Sequence, residues 1–307
     1  MSLLTSKRDF FLLCLYEKIT IIFLLISAFA SAQKSDLEQK INSITKGKQA
    51  TIGVSVLGFE NNFKYSQNGD KKLPMMSVFK FHVACAALDL VDKGRLSLDQ
   101  KVFIKKSELY NTWSPFRKKY PEGNIEITLS EVIDYTVALS DNNLCDILID
   151  LVGGTQTVQK YMDSKGVKDF QIKHSERGMA LNGWDSLYEN YTTTNSTVQL
   201  LKKFYDGKLL SKKSTDYLMN IMLGTQTGTN KLVEQLPKGT PTAHKTGSSS
   251  IKDNILTIAE NDMGIITLPN GKHYAITVYV SNSKESEAEN CKIISNISKA
   301  VWDNFNK

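Results

Sequence analysis

The sequence predicts an α/β layer assembled from both ends of the chain, with an all-helical domain inserted between its halves. Three observations carry this. Strand patterns lie at Thr51–Leu57 and Phe63–Tyr65; helical patterns fill the stretch from Ser77 to Leu223; strands return at Thr240–Thr246, Met263–Leu268 and His273–Ser281. Strands so far apart must meet to satisfy their backbone N–H and C=O groups. The expectation is one five-stranded antiparallel sheet flanked by helices, with residues 33–70 and 225–307 forming the α/β part and 71–224 the all-α part. A site would fall in the cleft between the two.

Residues 1–32 read as a secretory signal. Lys7, Arg8 and Lys18 precede the uncharged run Ile19–Ala32, and Ala30-Ser31-Ala32 is a small-x-small cleavage site before Gln33. The competing reading is a retained membrane anchor, but the run is short of the ~20 residues a spanning helix needs. No long apolar stretch follows. The expected destination is the periplasm or the medium, with no stable membrane association after cleavage.

A short helix is expected near Leu37–Ile44, and the polar turn Glu60-Asn61-Asn62 joins the first two strands. From Ser77 to Val91 the chain is apolar on nearly all sides and ends at Gly94, as a buried helix would. Helical patterns continue at Leu129–Leu139, Leu144–Val152, Val158–Lys165, Ser196–Tyr205 and Ser214–Leu223. Thr194 or Asn195 would cap the fourth of these and Gly207 end it. Pro269-Asn270-Gly271 marks a hairpin between the last two strands, and a helix over Ser286–Phe305 closes the chain.

The formal net charge of the 307 residues is +6, and the lysines are scattered, not gathered into a basic stripe with interleaved aromatics. Nucleic-acid binding therefore has little support. A mildly positive field suits an anionic small molecule, and solubility explains it equally well. Beyond the leader stand Cys85, Cys145 and Cys291, an odd and widely spaced set that is neither a disulfide framework nor a zinc pattern. Buried thiols are expected, with a Cys85–Cys145 bridge left open. His82, His174, His244 and His273 have no metal-ligand spacing, and no G-x-S-x-G elbow or glycine-rich phosphate loop occurs. No metal and no cofactor is expected, and a monomer is the expected state.

Chemistry concentrates in three strings: Ser77-Val78-Phe79-Lys80, Ser140-Asp141-Asn142 and Lys245-Thr246-Gly247. The Ser-x-x-Lys pattern recurs at Ser43, Ser249 and Ser281, so the information lies in the ordered triple. Ser77 would start the buried helix, at unpaired N–H groups and a partial positive charge. Lys80 shares its face one turn on. A desolvated ammonium near other cations has a lowered pKa, so the lysine can lose its proton and, as the amine, accept the serine proton or hold it in a hydrogen-bond network. The plain alternative is a serine cap beside a snorkelling lysine. Ser140 and Asn142 lie at a helix-to-helix junction, where Ser140 would pass a proton to a leaving amine and Asn142 orient substrate and lysine. Asp141 would point away and brace the loop; taken alone, this string is better explained as helix capping, since Ser, Asp and Asn all cap well. Lys245 and Thr246 would hold a substrate carboxylate, and Gly247 lets backbone approach backbone. The N–H groups of Ser248 and Ser77 would form an oxyanion hole, each such donor typically worth ~3 kcal/mol. The alternative is an ordinary sheet-edge lysine.

This ordered set is a known signature of penicillin-recognising serine enzymes, and over residues 35–305 the chain resembles a class A β-lactamase. Pro74 to Lys80, Trp113-Ser114-Pro115 and Ala243 to Gly247 resemble the extended-spectrum PER/CfxA-like branch. The resemblance implies two-step hydrolysis of penicillins or cephalosporins through an acyl-Ser77, and β-lactam resistance. It makes Lys80 the proton partner, Ser140 the donor to the lactam nitrogen, Asn142 a guide for the acyl side chain, and Lys245 with Thr246 the carboxylate site. Trp113 falls where the family carries a cleft-rim aromatic.

The family's usual Glu-x-x-Leu-Asn string is absent, and Ser175-Glu176-Arg177-Gly178-Met179 matches the branch's alternative. Glu176 is thus the implied water-activating base, with Glu189 in reserve. Ala180 replaces an asparagine that helps hold the water, and the arginine–aspartate bridge of this loop is missing, so a reshaped loop is expected. The arginine near the carboxylate site is missing too; Lys231 occupies the matching region, without a bidentate grip. A D,D-peptidase or transpeptidase would treat Glu176 as structural, and a non-catalytic β-lactam sensor would be tethered to a membrane partner.

Overall fold

The computed structural model describes residues 35–61 and 63–306, so the expected leader and Asn62 lie outside the described residues. Helix α1 covers residues 35–45. Strands β1 (Thr51–Gly58), β2 (Lys64–Gln67) and β3 (Leu73–Pro74) precede α2 (Phe79–Asp92). There follow β4 (Lys101–Ile104), α3 (Pro115–Lys119), β5 (Ile125–Thr128), α4 (Leu129–Val137), α5 (Asn142–Val152) and α6 (Thr155–Ser164). Next come β6 (Phe170–Gln171), α7 (Glu176–Asn182), β7 (Tyr191–Thr192), α8 (Thr194–Tyr205) and α9 (Lys212–Leu223). The chain returns through β8 (Thr242–Ser248), β9 (Ile251–Lys252), β10 (Leu256–Thr267) and β11 (His273–Ser283) to α10 (Glu287–Phe305).

The main sheet runs β2-β1-β11-β10-β8, and its pairings are antiparallel. β1 lies beside β11, from Thr51 opposite Ser281 to Gly58 opposite Tyr274, which joins the two ends of the chain. The hairpin β10–β11 turns at Pro269-Asn270-Gly271, where Gly271 adopts φ 76°, a left-handed conformation that favours glycine. The two-residue β9 pairs with β10 and makes this a six-stranded sheet, one more than expected.

Each face of the sheet buries an apolar layer. Val54, Val56, Ile276 and Val278 pack under α1 and α10, against Ile294 and Trp302. On the other side, Met263, Ile265 and Tyr279 share a second core with α2 and the inserted helices. Every residue from Phe79 to Leu88 is buried, as an all-round apolar helix requires, and α4, α5, α6 and α9 pack around α2.

Several boundaries differ from expectation for local reasons. α4 stops at Val137, short of Leu139, because Ser140 turns left-handed at φ 57°. α5 begins at Asn142, with the Asp141 carboxylate accepting the Leu144 N–H at 3.0 Å. The cap of α8 is Thr193, whose hydroxyl accepts the Ser196 N–H at 3.1 Å, not Thr194 or Asn195. The inserted part also carries two small sheets, β4–β5 and β3-β7-β6. Their strands span two to four residues, too short for a period-two pattern to register.

β10 starts at Leu256, not at Met263, because Glu260-Asn261-Asp262 reads as loop chemistry. All three are buried and paired. Glu260 contacts Lys231 and Ser248, the Asn261 amide donates to the carbonyls of Pro74 (2.8 Å) and Met75 (3.1 Å), and Asp262 meets His244. Asn261 thereby ties the sheet to the segment that enters α2, while Glu260 and Asp262 bind β8 and the Lys231–Leu232 stretch.

Candidate active site

Ser77 lies in a 3-10 turn (Met76–Val78) that leads directly into α2. Met76 sits at φ 46°, left-handed for a residue with a Cβ, as does Ser140 at φ 57°. Such conformations cost about 1–3 kcal/mol each and persist only where surrounding contacts impose them. Here the Asn261 amide holds the Pro74 and Met75 carbonyls, and the Asp141 N–H donates to the Tyr135 carbonyl at 2.9 Å.

Lys80 is fully buried. Its ammonium reaches Ser77 Oγ (2.9 Å), the Ser140 carbonyl (2.8 Å), Asn142 Oδ1 (2.5 Å) and Ser140 Oγ (3.4 Å). It also stands 2.9 Å from Glu176 Oε1, which accepts from the Ser77 hydroxyl at 3.3 Å. Lys245, equally buried, donates to Ser140 Oγ and to its neighbour's carbonyl, Thr246 O, both at 2.9 Å. Burial, reinforced by the nearby Lys80 charge, holds the Lys245 pKa well below the ordinary lysine range. A chain of polar contacts thus runs from Glu176 through Ser77 and Lys80 to Ser140 and Lys245.

These groups meet a cavity of about 930 Å³ lined by Ser77, Ser140, Asn142, Glu176, Thr246 and Ser248, among others. Trp113 stands on its rim, 62% exposed, with its indole N–H on the Leu139 carbonyl at 3.1 Å. Asn142 turns its amide nitrogen to Thr112 Oγ1 at 2.7 Å, so both ends of its amide are engaged. Asp141 faces away and accepts from Ser114 Oγ, the Phe116 N–H and the Leu144 N–H.

Gly247 explains itself sterically. A Cβ there would come within 2.5 Å of the Met75 carbonyl and 3.0 Å of the backbone nitrogens of Ser77 and Val78. Backbone therefore packs on backbone, bringing the end of β8 against the turn that carries Ser77. Lys231 differs from Lys245 in its partners. Neither lines the cavity, but Lys231 is buried behind Ser248 and paired with Glu260, whereas Lys245 reaches the cavity-lining Ser140 Oγ and the Thr246 carbonyl. Glu189 lies outside the cavity, salt-bridged to Lys173 and His174.

A nucleophilic hydroxyl, a buried amine and a buried carboxylate in mutual contact suit acyl transfer with a water-activating base. The family model described as the Beta-lactamase enzyme family matches residues 36–305. The chain belongs to that family. Beta-lactamase VEB-1 of Pseudomonas aeruginosa is 42% identical over 293 residues, covering 93% of this chain and 97% of that protein. Extended-spectrum beta-lactamase PER-1 of the same organism is 38% identical, covering 92% of each chain. The crystal structure of TLA-3 extended-spectrum beta-lactamase superposes with a TM-score of 0.87 at 51% identity, covering 89% of this chain and 100% of that one. The protein is a class A serine β-lactamase.

In this β-lactamase the loop carrying Glu176 is held by residues that sequence reasoning missed. Asp146 on α5 accepts the N–H groups of Glu176 (2.7 Å) and Arg177 (2.9 Å) at the start of α7. Burial pushes its carboxyl pKa up to about 6. Asn190 accepts the Lys173 and His174 N–H groups and donates to the His174 carbonyl. A signal for Asp146 existed, since it lies four residues after Asn142 on the same helix face. Asn190 gave none, being fixed only by the folded loop. Cys85, Cys145 and Cys291 are buried free thiols, so the Cys85–Cys145 bridge left open is not formed.

Proposed function

We propose that this β-lactamase opens penicillins and cephalosporins through an acyl-Ser77 intermediate that Glu176 then helps water to hydrolyse. As Oγ attacks the lactam carbonyl, the Ser77 proton goes to Glu176, which already accepts from that hydroxyl, or to Lys80 once it has passed a proton to Glu176 and is a neutral amine. The N–H groups of Ser77 and Ser248 stabilise the oxyanion. Ser140 gives its proton to the departing lactam nitrogen and is resupplied from Lys80 or Lys245, both in contact with it. In the second step Glu176 accepts a proton from water as the water attacks the ester carbonyl, and that proton returns to Ser77 Oγ, directly or through Lys80, as the bond from Ser77 to the acyl carbon breaks. Lys245, Thr246 and Gly247 form the carboxylate end of the site, Asn142 orients the acyl amide, and Trp113 covers the rim.

One observation carries this reading: a single carboxylate oxygen, Glu176 Oε1, contacts both Lys80 Nζ and Ser77 Oγ. A D,D-peptidase has no need of such a base. Intact-mass measurement on Glu176→Gln with a penicillin should find a persistent adduct that the wild-type enzyme does not accumulate. Equal adduct lifetimes would favour the peptidase.

The two extended-spectrum relatives support a cephalosporin-inclusive range and a role in resistance. We assign the α/β part to 33–70 with 225–307 and the helical part to 71–224, with cleavage after Ala32 and export as a monomer. Among the described residues no helix is long and apolar enough to cross a membrane.

A further inference from the structure

We propose that Glu260 is an internal competitor for the substrate carboxylate and so sets this enzyme's selectivity for carboxylate-bearing substrates. The inference rests on the reading of the β8 end as the carboxylate site. Glu260 lies directly across from Ser248 in the β8–β10 ladder and is 2% exposed. It accepts the Ser248 hydroxyl proton at 2.6 Å and forms a salt bridge with Lys231. Lys231 donates further to Ser248 Oγ (3.0 Å) and to the Asn261 carbonyl (3.3 Å).

An ammonium has three N–H donors and a serine one O–H. All four are therefore committed inside the protein: three from Lys231 to Glu260, Ser248 and Asn261, and the hydroxyl to Glu260. A substrate carboxylate arriving at Ser248 meets donors already held by a carboxylate, and a layer whose Lys231 charge is cancelled. Lys245 differs, with two acceptors among the described residues, Ser140 Oγ and Thr246 O. Its third N–H remains for the anion, and beside it stands the cavity-lining Thr246 hydroxyl, which shares a 2.6 Å hydrogen bond with Thr227 Oγ1 that either hydroxyl can donate. Glu260 touches no reacting atom; it is a positioning residue that acts through Ser248 and Lys231.

The test compares kcat/KM for benzylpenicillin with that for its neutral methyl ester. Glu260→Gln keeps shape and releases Lys231 and Ser248 from a charged acceptor. The acid-to-ester ratio should rise about fivefold, through KM and not kcat, the scale of one partly screened ion pair. The double variant Lys231→Met with Glu260→Gln leaves no buried charge and guards against misfolding of the single. Its ratio should return to within about twofold of wild type, since Lys231 was already withdrawn from substrate. An unchanged or lowered ratio in Glu260→Gln would overturn the proposal. So would a tenfold loss in the double variant, which would make Lys231 a working carboxylate ligand. Wild-type turnover separates the two levels: its absence removes the parent reading and this inference with it, whereas turnover without the selectivity change removes this inference alone.

Discussion

The carboxylate of Glu176 sits 2.9 Å from the ammonium of Lys80, one 8% and the other 0% exposed by side chain. A buried pair is tolerable only where further hydrogen bonds offset lost hydration. Lys80 has them in Ser77, Ser140 and Asn142; Glu176 is steered by backbone contacts from its own residue and Arg177 to Asp146. The pair links Ser77 to the loop that carries Glu176, the base proposed above.

Lys80→Met should lower kcat/KM by at least ~10³-fold, because members of one proton network fail together. It should also destabilise the fold by about 3–5 kcal/mol by leaving a buried carboxylate without its partner. Urea denaturation and single-turnover kinetics read the two effects. Near-normal stability would show that the pair contributes little to holding the loop.

Gly247→Ala should act on acylation. The added methyl meets backbone atoms of Met75, Ser77 and Val78, none the end of a flexible side chain. The Ser248 N–H must then move from the nucleophile, at a cost of about 10²-fold in the acylation rate. An unaltered acylation rate in stopped-flow experiments would disprove the oxyanion role of this strand.

Asn261→Leu removes the donor to the Pro74 and Met75 carbonyls while keeping bulk. The expected loss is about 2–4 kcal/mol of stability, with a fall in kcat as the left-handed turn at Met76 relaxes. A variant that loses stability but keeps full kcat would mean the turn is held by other contacts.

Asp146 has a testable pH signature. Its carboxyl is raised from 3.8 to about 6, chiefly by burial and further by Glu176. The folded state therefore binds the proton more tightly than the unfolded chain. The destabilising contribution is fully present above pH ~6, of order 3 kcal/mol for two units, and fades as pH falls towards ~4. Asp146→Asn removes it but loses one of two backbone hydrogen bonds, worth about 1 kcal/mol. The variant should be more stable than wild type at pH 7.5, less so at pH 4.5, and should deacylate more slowly because α7 is held by one bond. A stability difference independent of pH between those values would refute the assignment.

Thiol titration offers a simpler check. Cys85 and Cys145 are fully buried, and burial raises their thiol pKa values well above the ordinary range. Neither should react with Ellman's reagent until the protein unfolds, and reductant should leave Tm unchanged.

Much of the site was legible because its parts are short-range. Ser77 and Lys80 share one helical turn, Ser140 to Asn142 one junction, and Lys245 to Gly247 one strand end, so spacing and residue chemistry expose each group. The alternation of sheet and helix patterns likewise placed β1, β11 and α2 near their observed limits. Tertiary structure alone decided what depends on partners distant in sequence. It made a strand of Glu260-Asn261-Asp262, which reads as loop until Lys231, Pro74 and His244 are brought to it. It kept Lys231 out of the cavity, put Glu176 beside Ser77 and Lys80 while pairing Glu189 with Lys173 and His174, and braced the loop with Asp146 and Asn190. The physical reason is that burying a polar group is ruinous alone and tolerable when paired, and no local pattern records where a distant partner will stand.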